Sequence, residues 1–275
     1  MMADNYTSTV ITGDDQPLTF TSDVTIHELQ DIELSAPVMI EGLPGFGHVG
    51  KLVAEHLIDV FHATRIIDIY SIHFPPQAIV LDDCAVRLAR NEIYACRSED
   101  GKSDMLILVG DNQSATTRGH YILCDVFLDI AKRFNVSRIY TLGGYATGQL
   151  EDTGTVIGAV NNPDIVEELS EYGVDFQESE PWGGIIGVSG ILLAMGIELN
   201  IDAVCLMGIT SGYIVDPMSA QAVLRVLSQA LGIEVDMQAL EEHAAEMEKV
   251  VAKLEEMQQM QMSLTKGDED LRYIG

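Results

Sequence analysis

The sequence contains little positive charge, few cysteines and no long uninterrupted apolar run. Lysine and arginine together number 15 against 43 acidic residues, which gives the 275-residue chain a formal net charge of -28. Such a charge repels nucleic acids and anionic membrane surfaces, so we expect neither as a partner. Self-repulsion of this size destabilises a compact protein at low ionic strength, and molar salt screens it. The composition therefore predicts a protein from a halophile, with a melting temperature that rises between low salt and molar KCl.

The cysteines and the apolar segments exclude further classes of protein. Cys84, Cys96, Cys124 and Cys205 form no C-x-x-C pair and no zinc-ligand spacing, which indicates reduced core thiols and predicts that the chain holds no metal. The most apolar segment, Gly183 to Leu199, is interrupted by glycine and serine and is shorter than the roughly 20 residues of a transmembrane helix. The N-terminus also lacks the order of a signal peptide. We therefore expect a cytoplasmic protein.

Short apolar runs alternate along the chain with helical patterns, which is typical of an α/β protein. Buried strands are predicted at Pro37–Glu41, Arg65–His73, Met105–Val109, Arg138–Leu142, Thr155–Val160 and Ala203–Gly208, with a hairpin at Val86–Cys96 that turns near Asn91. Helices are predicted at Val49–Phe61, Thr117–Phe134, Asp164–Tyr172, within Gly183–Leu199, and at Pro217–Leu231. These elements predict one three-layer α/β sandwich with a mainly parallel sheet over residues 1–235, of which residues 1–20 are expected to be ragged.

A glycine-rich turn follows the first of these predicted buried strands. Its glycines are Gly42, Gly45, Gly47 and Gly50, and the last three have the G-x-G-x-x-G spacing of a dinucleotide loop. In that hypothesis, the start of the next helix holds a pyrophosphate and Asp68 binds the ribose. However, Pro44 removes a backbone donor, and Asp68 lies inside its predicted strand. We therefore favour a structural turn, in which glycines permit positive φ and close packing, and we expect no cofactor.

Two other loops follow strands, where open α/β sheets bind ligands. These loops, Gly143–Gly148 and Gly208–Tyr213, could form a cleft, but Ser211 has no neighbouring histidine to activate it. Ser189 lacks the context of a nucleophile elbow. His73, which precedes Phe74-Pro75-Pro76, is more typical of a turn residue than of a catalyst. The sequence thus predicts that the chain is not an enzyme, although residues distant in sequence can still meet in the fold.

The C-terminal residues are the most informative part of the chain. From Leu240 onward, apolar residues recur in steps of three and four, which predicts an amphipathic helix over residues 236–264. Its apolar stripe includes Leu240, Met247, Val250, Leu254 and Met257. We expect this stripe to pack against other subunits of a homo-oligomer, or against its own domain. Residues 265–275 are predicted to form a flexible tail whose apolar end serves recognition, with the alternative that it folds back on the domain. The candidate partner-binding residues of this tail are Leu271, Tyr273, Ile274 and Gly275.

Several sequence blocks together resemble the archaeal proteasome assembly chaperone family. They are Glu41–Gly50, Gly143-Gly144-Tyr145, Gly190–Leu193 and Gly208–Pro217 with the helix that follows. The resemblance extends from Ile26 to Gly275. It implies a fold similar to the purine nucleoside phosphorylase type, self-association, and ATP-independent binding to the α subunits of the 20S proteasome rather than catalysis.

The same resemblance implies a role for the tail. Proteasome activators often end in a hydrophobic residue, a tyrosine and any last residue, which enter pockets between α subunits while the terminal carboxylate pairs with a lysine. Here Tyr273 is third from the end, Ile274 is penultimate, and Arg272 occupies the hydrophobic position. The tail is therefore a variant, so it supports ring binding more strongly than gate opening. The alternatives are a nucleotide- or nucleoside-handling protein that uses the Gly45–Gly50 turn, and an adaptor built around the terminal helix.

Overall fold

The computed structural model describes residues 7–12, 18, 20–97, 104–149, 154–176, 184–240 and 242. Within these residues, ten strands form one mixed sheet, and helices pack on both of its faces. The predicted three-layer α/β sandwich is thereby confirmed. No helix among the described residues is long and apolar enough to span a membrane.

The elements agree with most of the sequence predictions. The strands are β1 (Ser8–Thr12), β2 (Val24–Glu28), β3 (Val38–Glu41), β4 (Thr64–Ser71), β5 (Ala78–Val80), β6 (Val86–Leu88), β7 (Asn91–Cys96), β8 (Met105–Gly110), β9 (Arg138–Ala146), β10 (Val156–Val160), β11 (Val174–Asp175) and β12 (Asp202–Thr210). The helices are α1 (Val49–Val60), α2 (Thr117–Arg133), α3 (Val166–Ser170), α4 (Val188–Glu198) and α5 (Pro217–Leu231), with short 3₁₀ turns at Phe46–His48 and Pro163–Ile165. β1 lies within the segment that was expected to be ragged.

The sheet is parallel at its centre and largely antiparallel to either side. Its strand order is β1-β2-β4-β7-β8-β3-β9-β12-β10-β11, and β8, β3, β9 and β12 run parallel. The strands β2, β4, β7 and β8 pair antiparallel with one another, as do β12 and β10. The predicted hairpin Val86–Cys96 is wrong. β6 pairs with β5 in a separate two-stranded sheet, whereas β7 enters the main sheet between β4 and β8.

The sheet separates two hydrophobic layers, because successive side chains of a strand point to opposite faces. Ile139 of β9 packs with α2 and α4, and its neighbour Tyr140 packs with α1 and α5. Local capping signals position the helices that cover each face. Thr116 caps α2, and Asp216 caps α5 just ahead of Pro217, which stands at the first helical position. The central parallel strands end at one edge of the sheet, which we call its carboxyl edge. The helices α1, α2, α4 and α5 begin at this same edge.

Candidate functional site at the carboxyl edge of the sheet

The glycine turn between β3 and α1 is filled by atoms of the protein itself. A Cβ atom at Gly50 would lie 2.1 Å from the carbonyl oxygen of Leu142 in β9, and one at Gly42 would lie 2.4 Å from Cβ of Ala54 in α1. Both distances are far below van der Waals contact. These two glycines therefore allow α1 to pack directly against the sheet.

In the outer part of the turn, Gly45 is exposed and borders open space, whereas Gly47 is enclosed. Gly47 has a φ of +62°, and a Cβ atom there would lie 2.8 Å from Oγ1 of Thr210. The carbonyl oxygen of Gly47 also accepts a hydrogen bond of 2.8 Å from the backbone N–H of Asp216. A Cβ atom on Gly144 of β9 would lie 2.3 Å from the carbonyl oxygen of Phe46. The space beside these glycines is thus occupied by β9, β12 and the start of α5. This packing favours the structural turn over a pyrophosphate loop.

Asp68 does not lie where a ribose-binding acid would have to lie. Two strands, β7 and β8, separate its strand β4 from β3, which leads into the glycine turn. Its carboxylate is buried and pairs with Arg65 at 3.4 Å and with Arg90 at 3.6 Å. The nucleotide hypothesis therefore loses the geometric basis that the spacing suggested.

A buried carboxyl group lies directly beneath the turn. Glu41, the last residue of β3, has no solvent exposure. Its Oε1 accepts a 2.9 Å hydrogen bond from the backbone N–H of Leu43, and its Oε2 accepts a 2.8 Å bond from the hydroxyl of Ser189 in α4. Burial raises the pKa of Glu41 to about 7, although both hydrogen bonds stabilise the charged form and oppose that rise. The group therefore titrates near neutral pH.

The surroundings of Glu41 are neutral and buried. Thr141 of β9 lies in register with Glu41 on one side and with Cys205 of β12 on the other. Burial raises the pKa of Cys205 to about 12 and also raises that of Cys124 in α2, so both thiols stay protonated and unreactive. Cys96 is buried as well, as the sequence predicted, but Cys84 is exposed. It lies in the tight turn between β5 and β6, outside both layers.

Gln113 forms a second tie between the glycine turn and α4. Its Nε2 donates to the carbonyl oxygen of Pro44 at 2.9 Å, and its Oε1 accepts from the backbone N–H of Val188 at 3.1 Å. Glu41 and Gln113 thus hold the turn and the first residues of α4 together. Four exposed apolar side chains lie at this edge of the sheet, and we call them together the carboxyl-edge surface. It comprises Phe46, Ile186, Tyr213 and Val215. Exposed apolar groups around a rigid turn are suited to contact with another protein.

The two loops that were predicted to form a cleft are mostly strand. Gly143 to Ala146 extend β9, and Gly208 to Thr210 extend β12. Beyond these strand ends, the backbone N–H of Thr147 donates to the carbonyl oxygen of Thr210 at 2.9 Å, which closes the gap between them. Glycine in these positions was mistaken for a loop signal, whereas Gly144 is needed for the close approach of Phe46.

His73 makes contacts that its sequence context did not indicate. Its Nε2 lies 3.2 Å from Oδ1 of Asp23, and its Nδ1 lies 3.1 Å from Oγ1 of Thr116. We call these three residues the His73 cluster. Because they come from three separate segments, their association could not be found by sequence spacing. Elsewhere, the described residues include no group of three or more His, Cys, Asp or Glu side chains placed to hold a metal ion.

Most of the predicted partner-binding and oligomer-packing residues lie outside the described residues. These are Leu271, Tyr273, Ile274 and Gly275 of the tail, and Met247, Val250, Leu254 and Met257 of the helical stripe. Leu240, the first residue of the stripe, is described and is only 3% exposed. It packs into the layer formed by α1 and α5 of its own domain. The chain leading to it is tied to α1, since Nε2 of His56 lies 2.6 Å from the carbonyl oxygen of Asp236.

Comparison with known proteins gives a consistent result. A model of the PAC2 family matches residues 39–255. An uncharacterised protein of Methanocaldococcus jannaschii is 35% identical over 257 residues, which cover 92% of this chain and 98% of the relative. The crystal structure of Pyrococcus furiosus PbaB, an archaeal proteasome activator, aligns with a TM-score of 0.80 and 36% identity over 85% of this chain and 99% of that chain. P. furiosus PbaA, an archaeal homolog of proteasome-assembly chaperone, shares the fold with a TM-score of 0.69 and 24% identity over 90% and 99% of the two chains.

Proposed function

The chain belongs to the PAC2 family, and we propose on this basis that it is a proteasome assembly chaperone or an ATP-independent proteasome activator. The match to the PAC2 family model and the similarity to PbaB confirm the sequence resemblance to archaeal proteasome chaperones. The observation that carries the proposal is the similarity to PbaB, because it combines 36% identity with coverage of nearly the whole of that chain. The protein acts by binding, and its partners are the α subunits of the 20S proteasome.

The geometry of the carboxyl edge supports a binding role. Gly42, Gly47 and Gly50 are used for internal packing, and the turn is tied to α4 through Glu41 and Gln113. This arrangement makes a rigid platform under the carboxyl-edge surface, on which Tyr213 is 82% exposed and Phe46 is 57% exposed. A preorganised apolar surface loses little conformational freedom when a partner covers it.

The C-terminal tail is the proposed anchor on the proteasome. Tyr273 and Ile274 supply two apolar side chains beside the terminal carboxylate of Gly275. Such an end combines pocket burial with a charge-assisted hydrogen bond to a lysine. The helical stripe brings several subunits together, so several tails engage at once and each later engagement occurs at high effective concentration.

The tail proposal is tested by measuring binding to purified 20S proteasome by surface plasmon resonance. Deletion of Tyr273 to Gly275 should weaken binding at least about tenfold, or about 1.4 kcal/mol, and leave circular dichroism and oligomer mass unchanged. Tyr273→Ala should weaken it less. One extra residue after Gly275 should also weaken binding, because it moves the carboxylate out of register. Undiminished binding by the truncated protein would place the contact on the folded domain, where Tyr213→Ser then becomes the decisive variant.

Self-association is tested by light scattering. Leu254→Asp, on the predicted stripe, should lower the oligomer mass because a charge enters an apolar contact. Ala252→Asp is the matched control, since it adds the same single carboxylate two residues away and off the stripe. If both variants keep the mass of the natural protein, the stripe packs on its own domain, as Leu240 does.

A further inference from the structure

The His73 cluster has the order of groups found in enzymes with an activated hydroxyl nucleophile. Thr116 contacts one ring nitrogen of His73 at 3.1 Å, and Asp23 contacts the other at 3.2 Å. We propose that Thr116 is a reactive nucleophile that accepts an acyl group from carboxylic esters or thioesters. The proposal goes beyond proteasome binding and is independent of it. It also departs from the sequence prediction, which treated His73 as a turn residue.

The carboxylate of Asp23 is held in place and kept ionised. Its Oδ2 accepts hydrogen bonds from the backbone N–H of Thr7 at 2.9 Å and from the hydroxyl of Thr7 at 3.0 Å. The backbone bond from Thr7 is the main cause of the lowered pKa of Asp23. An ionised carboxylate accepts a hydrogen bond from Nε2–H of His73, which leaves the lone pair of Nδ1 facing Thr116. This is the tautomer that a general base requires.

The nucleophile is accessible while its two supporting groups are sheltered. Thr116 is exposed, whereas the side chains of His73 and Asp23 are 13% and 17% exposed. Close packing of the imidazole depends on Gly119 in the first turn of α2. A Cβ atom there would lie 2.4 Å from Cβ of His73 and 2.3 Å from Oγ of Ser114.

Thr116 also caps α2, since its hydroxyl oxygen accepts from the backbone N–H of Gly119 at 3.0 Å. Capping alone needs only an oxygen acceptor, and asparagine or aspartate would serve equally well. A cap does not need a histidine on its hydroxyl or a carboxylate behind that histidine.

The position of Thr116 at the start of α2 favours acyl transfer for a second reason. The backbone N–H of Thr117, the first residue of α2, has no acceptor within the helix and can stabilise charge on a carbonyl oxygen.

The chemical step is one acyl transfer. Oγ1 of Thr116 attacks the carbonyl carbon of the ester, and its proton passes to Nδ1 of His73. The bond between the carbonyl carbon and the leaving oxygen or sulfur then breaks, and the leaving group takes the proton from His73. The product is an ester of Thr116 together with the free alcohol or thiol. The cluster is therefore a self-acylation site.

The experiment uses the full chain and p-nitrophenyl acetate, with release of p-nitrophenolate followed by absorbance and the modified residue identified by peptide mass spectrometry. We expect acetylation of Thr116 at least about tenfold faster than that of Thr117, its exposed neighbour in the same peptide. Thr116→Ser should keep the reaction. Thr116→Asn should abolish it while preserving the helix cap, and circular dichroism will verify the fold.

The Asp23→Asn variant tests whether Thr116 reacts because His73 activates it or only because its hydroxyl is exposed. This variant should slow acetylation of Thr116 at least about tenfold without changing that of Thr117, because His73 loses the group that fixes its tautomer. Equal acetylation of Thr116 and Thr117 in the natural protein would overturn the proposal. So would an unchanged rate at Thr116 in Asp23→Asn. Either result would leave the cluster as a helix cap only.

Discussion

Two buried carboxyl groups of the same sheet have opposite surroundings. Glu41 in β3 has no solvent exposure, and Asp68 in β4 is 2% exposed. Burial raises the pKa of both groups. At Glu41, the groups that oppose this effect are the neutral donors Leu43 N–H and the Ser189 hydroxyl. At Asp68, they are the guanidinium groups of Arg90 and Arg65.

The difference separates a structural charge from a proton-responsive group. A guanidinium stays protonated at every physiological pH, so Asp68 has permanent cations with which to form a charged network. The network also includes Glu92, whose Oε1 accepts a 2.6 Å hydrogen bond from Nε of Arg90. Burial raises the pKa of Glu41 to about 7, and its neutral donors oppose that rise less strongly than cations would. Glu41 connects the glycine turn to α4, so its protonation state affects the strength of this connection at the carboxyl edge.

The largest expected effect comes from making Asp68 resemble Glu41 by removing a cation. Arg90→Met should destabilise the fold by about 3 to 5 kcal/mol at neutral pH, because the buried carboxylate of Asp68 loses a cationic partner. The loss should shrink as the pH falls, since burial raises the pKa of Asp68 and its protonated form needs no cation. Urea unfolding at pH 5 and pH 8 measures this. A matched control is Arg65→Met, which should cost less because Arg65 is 37% exposed. A loss that does not change with pH would show that packing, not charge, is what Arg90 contributes.

The second effect comes from removing the proton-responsive group itself. The folded protein raises the pKa of Glu41 from 4.5 to about 7, so its stability relative to Glu41→Gln should be highest below pH 4.5 and should fall as the pH rises towards 7. Between pH 4.5 and a pH above 7, the stability of the natural protein should fall by about 3 kcal/mol relative to the variant, the free-energy equivalent of the shift. The control is Glu55→Gln, which makes the same chemical change at a side chain that is 48% exposed. A parallel pH dependence of the natural protein and Glu41→Gln would remove Glu41 from this role.

Local signals in the sequence predicted the helices well and the strand partners poorly. Helix α5 was predicted to the residue, because Asp216 and Pro217 mark its start and Gly232, with a φ of +63°, ends it. The strand β7 was also recognised as extended, but it was paired with the wrong neighbour. Alternation of apolar residues indicates that a segment is a strand, and it carries no information on which strand lies beside it. For the same reason, the antiparallel part of the sheet was not predicted.

The candidate sites show even more clearly that local sequence patterns do not predict which residues meet in the fold. The glycine turn was located correctly, because spacing and proline content are local properties, and the close contacts at Gly42, Gly47 and Gly50 favour the structural interpretation. Glu41 was seen only as the end of a strand, since the hydroxyl that binds it lies 148 residues away on Ser189. Likewise, 50 residues separate Asp23 from His73. Contacts between polar groups inside a fold depend on how the helices pack over the sheet. No short sequence pattern encodes that packing.

The smallest expected effect isolates the neutral donor that distinguishes Glu41 from Asp68. Ser189→Ala removes the hydroxyl 2.8 Å from Oε2 of Glu41. A hydrogen bond to a charged group contributes about 1.5 to 3 kcal/mol, whereas one to a neutral group contributes about 1 kcal/mol. We therefore expect a loss of about 1.5 kcal/mol at pH 8, a smaller loss at pH 5, and a further rise in the pKa of Glu41. In the Glu41→Gln background, the same substitution should cost an equal amount at both pH values, because no charge is left to stabilise. If Ser189→Ala instead costs the same at pH 5 and pH 8 in the natural protein, the hydroxyl serves the start of α4 alone, and the contrast between the two carboxyl groups reduces to the cations around Asp68.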